Sequence, residues 1–319
     1  MNIGVGCIGQ GEAGRFHLER FRIRADCRCE AVWFSPKDLT VGNPARLAAH
    51  SVASAHAISS NSSISLVVID VQSFDGLSAR QLASECLHAG QHVIIGFQAF
   101  DNPDALVELA DVARRADRQL FVPTLHRWES SFLGVQSVVA SGCLGELTKI
   151  RRISRAYVPE ELSRPQQIAT DFNQSLDHLW FEMLDELLQF LPLPARVTSA
   201  SAESAWDSIS GAQIRTGRAA RLVFENGCVA DLELNRRCLA PLETGWILEG
   251  ELGGFADRKR FRATPDFEMV DVPVEFPLTN QNGFYDAVLS TIQDGTSFPV
   301  TLDSVLRVLK LMMDPVPAP

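Results

Sequence analysis

Over the first 123 residues, short apolar runs alternate with stretches whose apolar positions recur every three or four residues. The runs 3–8, 29–34, 66–71, 92–95 and 120–122 have strand length and are rich in β-branched residues. Between them the spacing predicts helices over 15–25, 43–50, 77–89 and 103–116. Gly90 stands just past one helix, where a left-handed C-terminal residue is wanted, and Asp101 or Asn102 can cap the helix that starts near Pro103. Apolar strands separated by helices predict a parallel sheet covered on both faces. Residues 1–123 therefore read as a doubly wound, Rossmann-type α/β domain.

After Pro123 the pattern changes. Helices are expected over 130–141 and 176–191, the first stopped by Gly142 and Gly145 and the second by Pro192. Strand patterns lie at 148–157, 196–202, 219–224, 228–234 and 245–250, several separated by short turn signals such as Glu225-Asn226-Gly227. Strands joined by short turns predict a large, mostly antiparallel sheet in an α+β second domain over 124–319. The patterns 228–234 and 245–250 are candidates for its outer face, which must be covered or polar. Two helical stretches, 282–294 and 302–313, close the chain, and the last is expected to pack back on the first domain.

Composition narrows the function classes. A formal charge of −10 argues against a nucleic-acid or anionic-membrane surface. No apolar run approaches the roughly 20 residues of a membrane span. Met1 leads straight into a strand pattern, so no secretory signal is expected and the protein reads as cytoplasmic. Seven scattered cysteines without paired spacing read as reduced thiols rather than a zinc site.

The densest chemical signal is Gly9-Gln10-Gly11-Glu12-Ala13-Gly14, a G-x-G-x-x-G at the turn from the first strand into the first helix. The first glycine permits the tight turn, the second lets a pyrophosphate approach the backbone, and the third lets helix and strand pack closely. Free N–H groups at the helix start then offer donors to phosphate. A bare structural turn is the competing reading of the same residues.

Beyond this motif the chain resembles the glucose–fructose oxidoreductase/inositol dehydrogenase (Gfo/Idh/MocA) family over nearly its whole length. Gly9–His17 is similar to that family's G-x-G-x-x-G-R-x-H opening, and Cys86-Leu87-His88-Ala89-Gly90-Gln91-His92-Val93 to its A-L-x-A-G-K-H-V segment. Ser141-Gly142-Cys143-Leu144-Gly145-Glu146-Leu147 resembles its S-G-x-L-G-E-I turn, and Leu248-Glu249-Gly250-Glu251-Leu252-Gly253-Gly254 its I-E-G-x-x-G-G hairpin. The resemblance implies an NAD(P)-dependent oxidoreductase acting on a small molecule, a sugar, cyclitol or related carbonyl or alcohol. It also implies a homodimer or homotetramer built on the second sheet.

The chain departs from that family where the chemistry is done. Phe97 stands where an E-K-P motif carries lysine, and phenylalanine can neither donate nor hold charge. Val71 and Gln72 replace the threonine and proline of a T-P-x-x-x-H segment beside the nicotinamide. Glu182 replaces the histidine of an H-x-x-D pair whose acid is Asp185, while His178 stands one turn earlier. His178 and Glu182, four apart, share a helix face. A buried Glu182 beside Asp185 would have its proton affinity raised by burial and like charge, and so act near neutral pH. The plainer alternative is a surface His–Glu pair. A metal on this face is not expected, since no third ligand is placed by a motif. The segment His126-Arg127-Trp128 matches an arginine-containing loop that lines the family's substrate cleft, and an arginine tying two domains together is the equal alternative.

The second strand pattern ends Phe34-Ser35-Pro36-Lys37, with no acid for a ribose 2′-hydroxyl. A hydroxyl and a cation there suit a 2′-phosphate, so Ser35 and Lys37 favour NADP over NAD. Two other readings stand beside the oxidoreductase: a non-catalytic nucleotide or ligand sensor that keeps the fold, and a hydrolase or lyase that uses the carboxylates alone.

Overall fold

A computed structural model describes residues 2–9, 12–34, 50–52, 54–70, 73–74, 77–156, 165–193, 195–206, 213–238, 244–263, 269–280 and 282–313. The chain divides into two compact units: Met1–Leu125 with Gln281–Leu306, and His126–Asn280 with Arg307–Pro319.

The first stretch of unit 1 runs β1 (Ile3–Gly9), α1 (Glu12–Arg22), β2 (Cys27–Phe34), β3 (His50–Ser51), α2 (His56–Ser59), β4 (Leu66–Asp70), β5 (Ser73–Phe74), β6 (Leu77–Ser78), α3 (Ala79–His88), β7 (His92–Ile95), α4 (Pro103–Arg115) and β8 (Leu120–Phe121). Six strands pair in parallel in the order β3-β2-β1-β4-β7-β8, with β5 and β6 as a separate small hairpin. All seven residues of β1 are buried, as a strand covered on both faces requires. Helix starts follow their caps. The Ser78 hydroxyl accepts from the Gln81 N–H while the Gln81 side chain accepts from the Ser78 N–H, so α3 opens at Ala79. Asn102, rather than Asp101, caps α4 by accepting from the Ala105 N–H at 2.8 Å. Of the helix expected over 43–50, residues 43–49 lie outside the described residues, and His50 opens β3 instead, paired with Ala31 at the edge of the sheet.

Unit 2 holds α5 (Ser130–Ala140), β9 (Leu147–Arg155), α6 (Pro165–Phe190), β10 (Ala195–Trp206), β11 (Gln213–Phe224), β12 (Val229–Asn235), β13 (Thr244–Gly250), β14 (Gly254–Ala256), β15 (Lys259–Ala263) and β16 (Met269–Pro273). They form one eight-stranded sheet in the order β10-β11-β12-β9-β13-β14-β15-β16, antiparallel except between β12 and β9. In β12, Ala230, Leu232 and Leu234 are buried and face the core. On its other side Asp231 binds Arg221 through both oxygens, and Glu233 does the same with Arg155. The outer face is thus polar along this strand. Helix α6 covers the inner face, with Leu176, Trp180, Phe181, Leu184, Leu187 and Leu188 buried. Phe190 stacks on Phe132 of α5 at 5.6 Å and meets Trp246 of β13 edge-on at 4.9 Å. Strands β14–β16 are only three to five residues long, and β15 carries Lys259, Arg260 and Arg262, so no apolar run of strand length announced them.

A glycine in α5 decides one packing detail. A Cβ at Gly134 would stand 2.2 Å from Cδ1 of Phe276. The segment carrying Phe276 is tied down on both sides, by Val274 N–H to Arg258 O at 2.8 Å and by Asn280 N–H to Trp128 O at 3.1 Å. The ring therefore has little room to yield. Gly134→Ala is expected to lower the unfolding free energy by about 1–3 kcal/mol, seen as a lower thermal midpoint, even though alanine is the better helix former.

The chain returns to unit 1 through α7 (Gly283–Asp294), within the stretch 124–319 that the apolar pattern groups as one domain. The reason is Tyr285. It is fully buried, its hydroxyl lies 2.9 Å from Nδ1 of His17 on α1, and its ring meets Phe21 edge-on at 5.0 Å. The division between the units falls within the last helix, α8 (Leu302–Met313).

Candidate functional site

In unit 2, a short turn after β8 places His126 and Arg127 toward α6. The helical repeat puts His178, Glu182 and Asp185 near one another on α6. Asp185 is the hub. Its Oδ2 accepts from His126 Nε2 at 2.6 Å and from Arg127 Nε at 2.7 Å, and its Oδ1 accepts from Arg127 Nη2 at 2.6 Å. Both Asp185 and His126 are buried. The other face of the His126 ring looks to Glu182, with Nδ1 at 3.6 Å from Oε1. Glu182 in turn lies 3.2 Å from Nε2 of His178. The chain of groups thus runs outward from a buried aspartate to a histidine whose side chain is 46% exposed.

Charge states follow from these neighbours. Burial alone would lower the proton affinity of His126, but its bonds to Asp185 and Glu182 outweigh burial and push it up to about 10. His126 is an imidazolium at neutral pH. Burial would raise Glu182, yet His126 and His178 hold it well below the usual carboxylate range. This corrects the expectation of a Glu182 that titrates near neutrality. The like charge of Asp185 is spent on Arg127 and His126, and two histidines face Glu182 instead. Asp185 is likewise held low by Arg127 and His126 against its burial.

Three further residues join this network. Glu186, one turn after Glu182, is buried and its carboxyl is raised by burial against the pull of Arg152, whose Nε lies 3.3 Å away. Arg152 comes from β9 and also lies over the Trp246 ring. Glu129 is exposed, and its carboxyl is raised by partial burial and by the Glu182 charge. The signal for Glu186 was present in the sequence: two acids four apart on an apolar helix call for a cation. Which strand supplies that cation is not a local matter. Trp128 contributes its backbone carbonyl to Asn280. His126 and Arg127, expected against a substrate, are turned to Asp185.

In unit 1, Gly9 ends β1 and Gly14 lies in the first turns of α1. A Cβ at Gly14 would come within 3.1 Å of the Gly9 Cα, so this position needs the bare backbone that the third glycine of the fingerprint provides. On this count the turn fits a dinucleotide. Glu12 and Ala13 open α1, while Gln10, Gly11, Ser35, Lys37, Val71 and Gln72 lie outside the described residues. Phe97 sits in a single 3₁₀ turn after β7 and is buried. All seven cysteines are free.

Unit 2 also contains a cleft of about 140 Å³ lined by Trp180, Leu184, Ala200, Arg218, Leu222 and Leu311; it includes none of the network residues. Among the described residues no cluster of three or more histidine, cysteine or acidic side chains is arranged to hold a metal ion, and no helix is long and apolar enough to cross a membrane.

No protein-family model and no curated protein sequence matches the chain. Its fold, however, is shared along almost its whole length with solved structures. Protein yvaA from Bacillus subtilis superposes with a TM-score of 0.81 at 16% identity, covering 98% of this chain and 94% of that one. An NAD-binding protein from Listeria innocua gives 0.80 at 18% identity, covering 98% and 93%. Biliverdin reductase from Synechocystis sp. PCC 6803, in complex with biliverdin and NADP+, gives 0.74 at 19% identity, covering 97% and 95%. At these identities the likeness is one of fold: a parallel Rossmann sheet followed by a mostly antiparallel sheet.

Proposed function

We propose that this protein is an NAD(P)-binding oxidoreductase with an altered proton-handling site. The observation that carries the reading is Gly14, whose missing Cβ lets α1 close onto Gly9 in the manner of a dinucleotide turn. Shared fold with an NAD-binding protein and with a reductase solved with NADP+ supports it. The backbone of Gly9–Gly14 would hold the pyrophosphate, and Ser35 and Lys37 would favour a 2′-phosphate and hence NADP. When bound, the nicotinamide would supply the hydride. His178, the exposed end of the network, would carry the proton, with Glu182 orienting His178 as a fixed carboxylate and Asp185 anchoring His126 and Arg127 behind them. The substrate is a sugar, cyclitol or related carbonyl or alcohol, and the protein works as a homodimer or homotetramer in the cytoplasm.

A second reading, a ligand sensor on the same fold, is favoured by the buried Phe97, which cannot replace the lysine cation. Titration with NADPH and NADH, followed by quenching of tryptophan fluorescence, tests the first requirement. Saturable binding with NADPH tighter than NADH is expected, and no binding of either at millimolar concentration overturns the nucleotide reading. Binding without turnover of any polyol or sugar acid in a broad panel would leave the sensor.

A further inference from the structure

We infer that the cleft in unit 2 is a binding site for a small apolar carboxylate, an aromatic or short aliphatic acid whose body lies on a floor of alanines and whose head meets Arg218. The cleft, of about 140 Å³, shares no residue with the His126–Asp185 network or with the glycine turn, so the inference stands apart from the proposed function. Strand register sets its floor. Ala200 stands opposite Ala220, and Ala202 opposite Arg218, across β10 and β11, so these four side chains share one face of the sheet. Trp180 and Leu184, four apart on α6, are buried and form the wall above it. Leu311 and Met312, in the last turn of α8, close another side. Three alanines leave the room that larger side chains would fill. The volume is close to that of an engineered apolar cavity, about 150 Å³, that takes up benzene, so one ring or a chain of about six carbons fits.

Arg218 supplies the contact for the head group. Its side chain is 23% exposed, so a ligand can reach it, and its guanidinium lies 5.5 Å from the centre of the Trp180 ring, which holds it at the cleft. Nη1 donates to Oδ1 of Asp177 at 3.1 Å. That oxygen is shared. Arg215 grips the same carboxylate through both its Nη atoms, at 2.9 and 2.6 Å. The shorter, two-pronged share of Asp177 thus goes to Arg215. Burial lowers the proton affinity of Arg218, and the pull of Asp177, opposed by the Arg215 charge, does not offset it. A carboxylate entering the cleft would add counter-charge there and accept from the Nε and Nη2 donors that Asp177 leaves. The rest of the ligand must be apolar. Among the described lining residues Ser201 is the one hydroxyl, too little to satisfy a sugar acid.

The test titrates the full-length protein with benzoate and with its neutral isostere benzamide, followed by saturation-transfer NMR. Benzoate is expected to bind with a dissociation constant of about 1 mM or tighter, and benzamide at least about tenfold more weakly. Arg218→Gln should bring benzoate down to the level of benzamide and leave benzamide unchanged, a split that a merely structural arginine would not give. Ala200→Phe, on the partly exposed edge strand β10, fills the cleft without altering charge and should abolish binding of both probes. Thermal melts show whether each variant folds. If Arg218→Gln does not, the preference of the wild type for benzoate and its loss in Ala200→Phe decide. The inference is overturned if benzoate does not bind at about 20 mM, if the two probes bind equally well, or if either folded variant binds benzoate like the wild type.

Discussion

Asp185→Asn is expected to destabilise the protein by about 3 kcal/mol or more, measured as a shift in the urea unfolding midpoint at pH 7. The substitution is nearly isosteric, so the loss is not one of volume. Asp185 is fully buried and accepts from His126 once and from Arg127 twice, at 2.6–2.7 Å. An asparagine retains one acceptor oxygen and places an N–H₂ against cationic donors. Arg127 and His126 would then lose the charge of Asp185 in buried surroundings, the costly case for a broken buried ion pair. A loss below about 1 kcal/mol, the range of an exposed pair, would show that solvent reaches these groups in a way their burial denies.

The second large effect is on the pH dependence of stability. His126 is pushed up to about 10 in the fold from its ordinary value of 6.5, the bonds to Asp185 and Glu182 outweighing burial. A group raised in this way contributes its full stabilisation below pH 6.5 and loses it as pH rises through about 10. A shift of that size corresponds to at most about 5 kcal/mol. Stability is therefore expected to decline between pH 7 and 10. His126→Gln should be less stable than wild type by the largest margin at pH 6, with the gap closing toward pH 10. The acid limb has the opposite sign. Glu182 and Asp185 are held low, so their contribution is present above their ordinary values of 4.5 and 3.8 and is lost as pH falls below them. His92, lowered to about 4 by burial and by Arg118, stays neutral in the fold and adds to the loss between pH 6.5 and 4. Urea midpoints at pH 5, 6, 8 and 10 check the whole curve. A gap between wild type and His126→Gln that stays constant from pH 6 to 10 would mean that His126 is neutral and the network is built differently.

Much of the architecture was legible because its signals are local. The run 92–95 and the spacing 103–116 predict β7 and α4 almost to the residue, since a strand buried on both faces and a helix buried on one leave different periodicities. Gly90 ends α3 with φ of +85° for a reason visible in one residue, the absence of a Cβ. Signals failed where the local pattern was weak or was overruled. The short strands β14 to β16 follow their neighbours' pairing rather than any apolar run of strand length, and His50 follows the edge of β2.

At the candidate site the same line divides what could be read. The glycine motif and the set His178, Glu182 and Asp185 are candidates that the sequence names by itself, the first from its spacing and the second from the family resemblance together with the helical repeat. The charge states were decided only by the tertiary structure. Asp185 finds His126 59 positions away in the chain, and Glu186 finds Arg152 34 positions away. Proton affinity depends on burial and on charges within a few ångströms through space, and no periodicity along the chain records those. The sequence thus singles out candidate residues, and the fold determines which charges and partners face them.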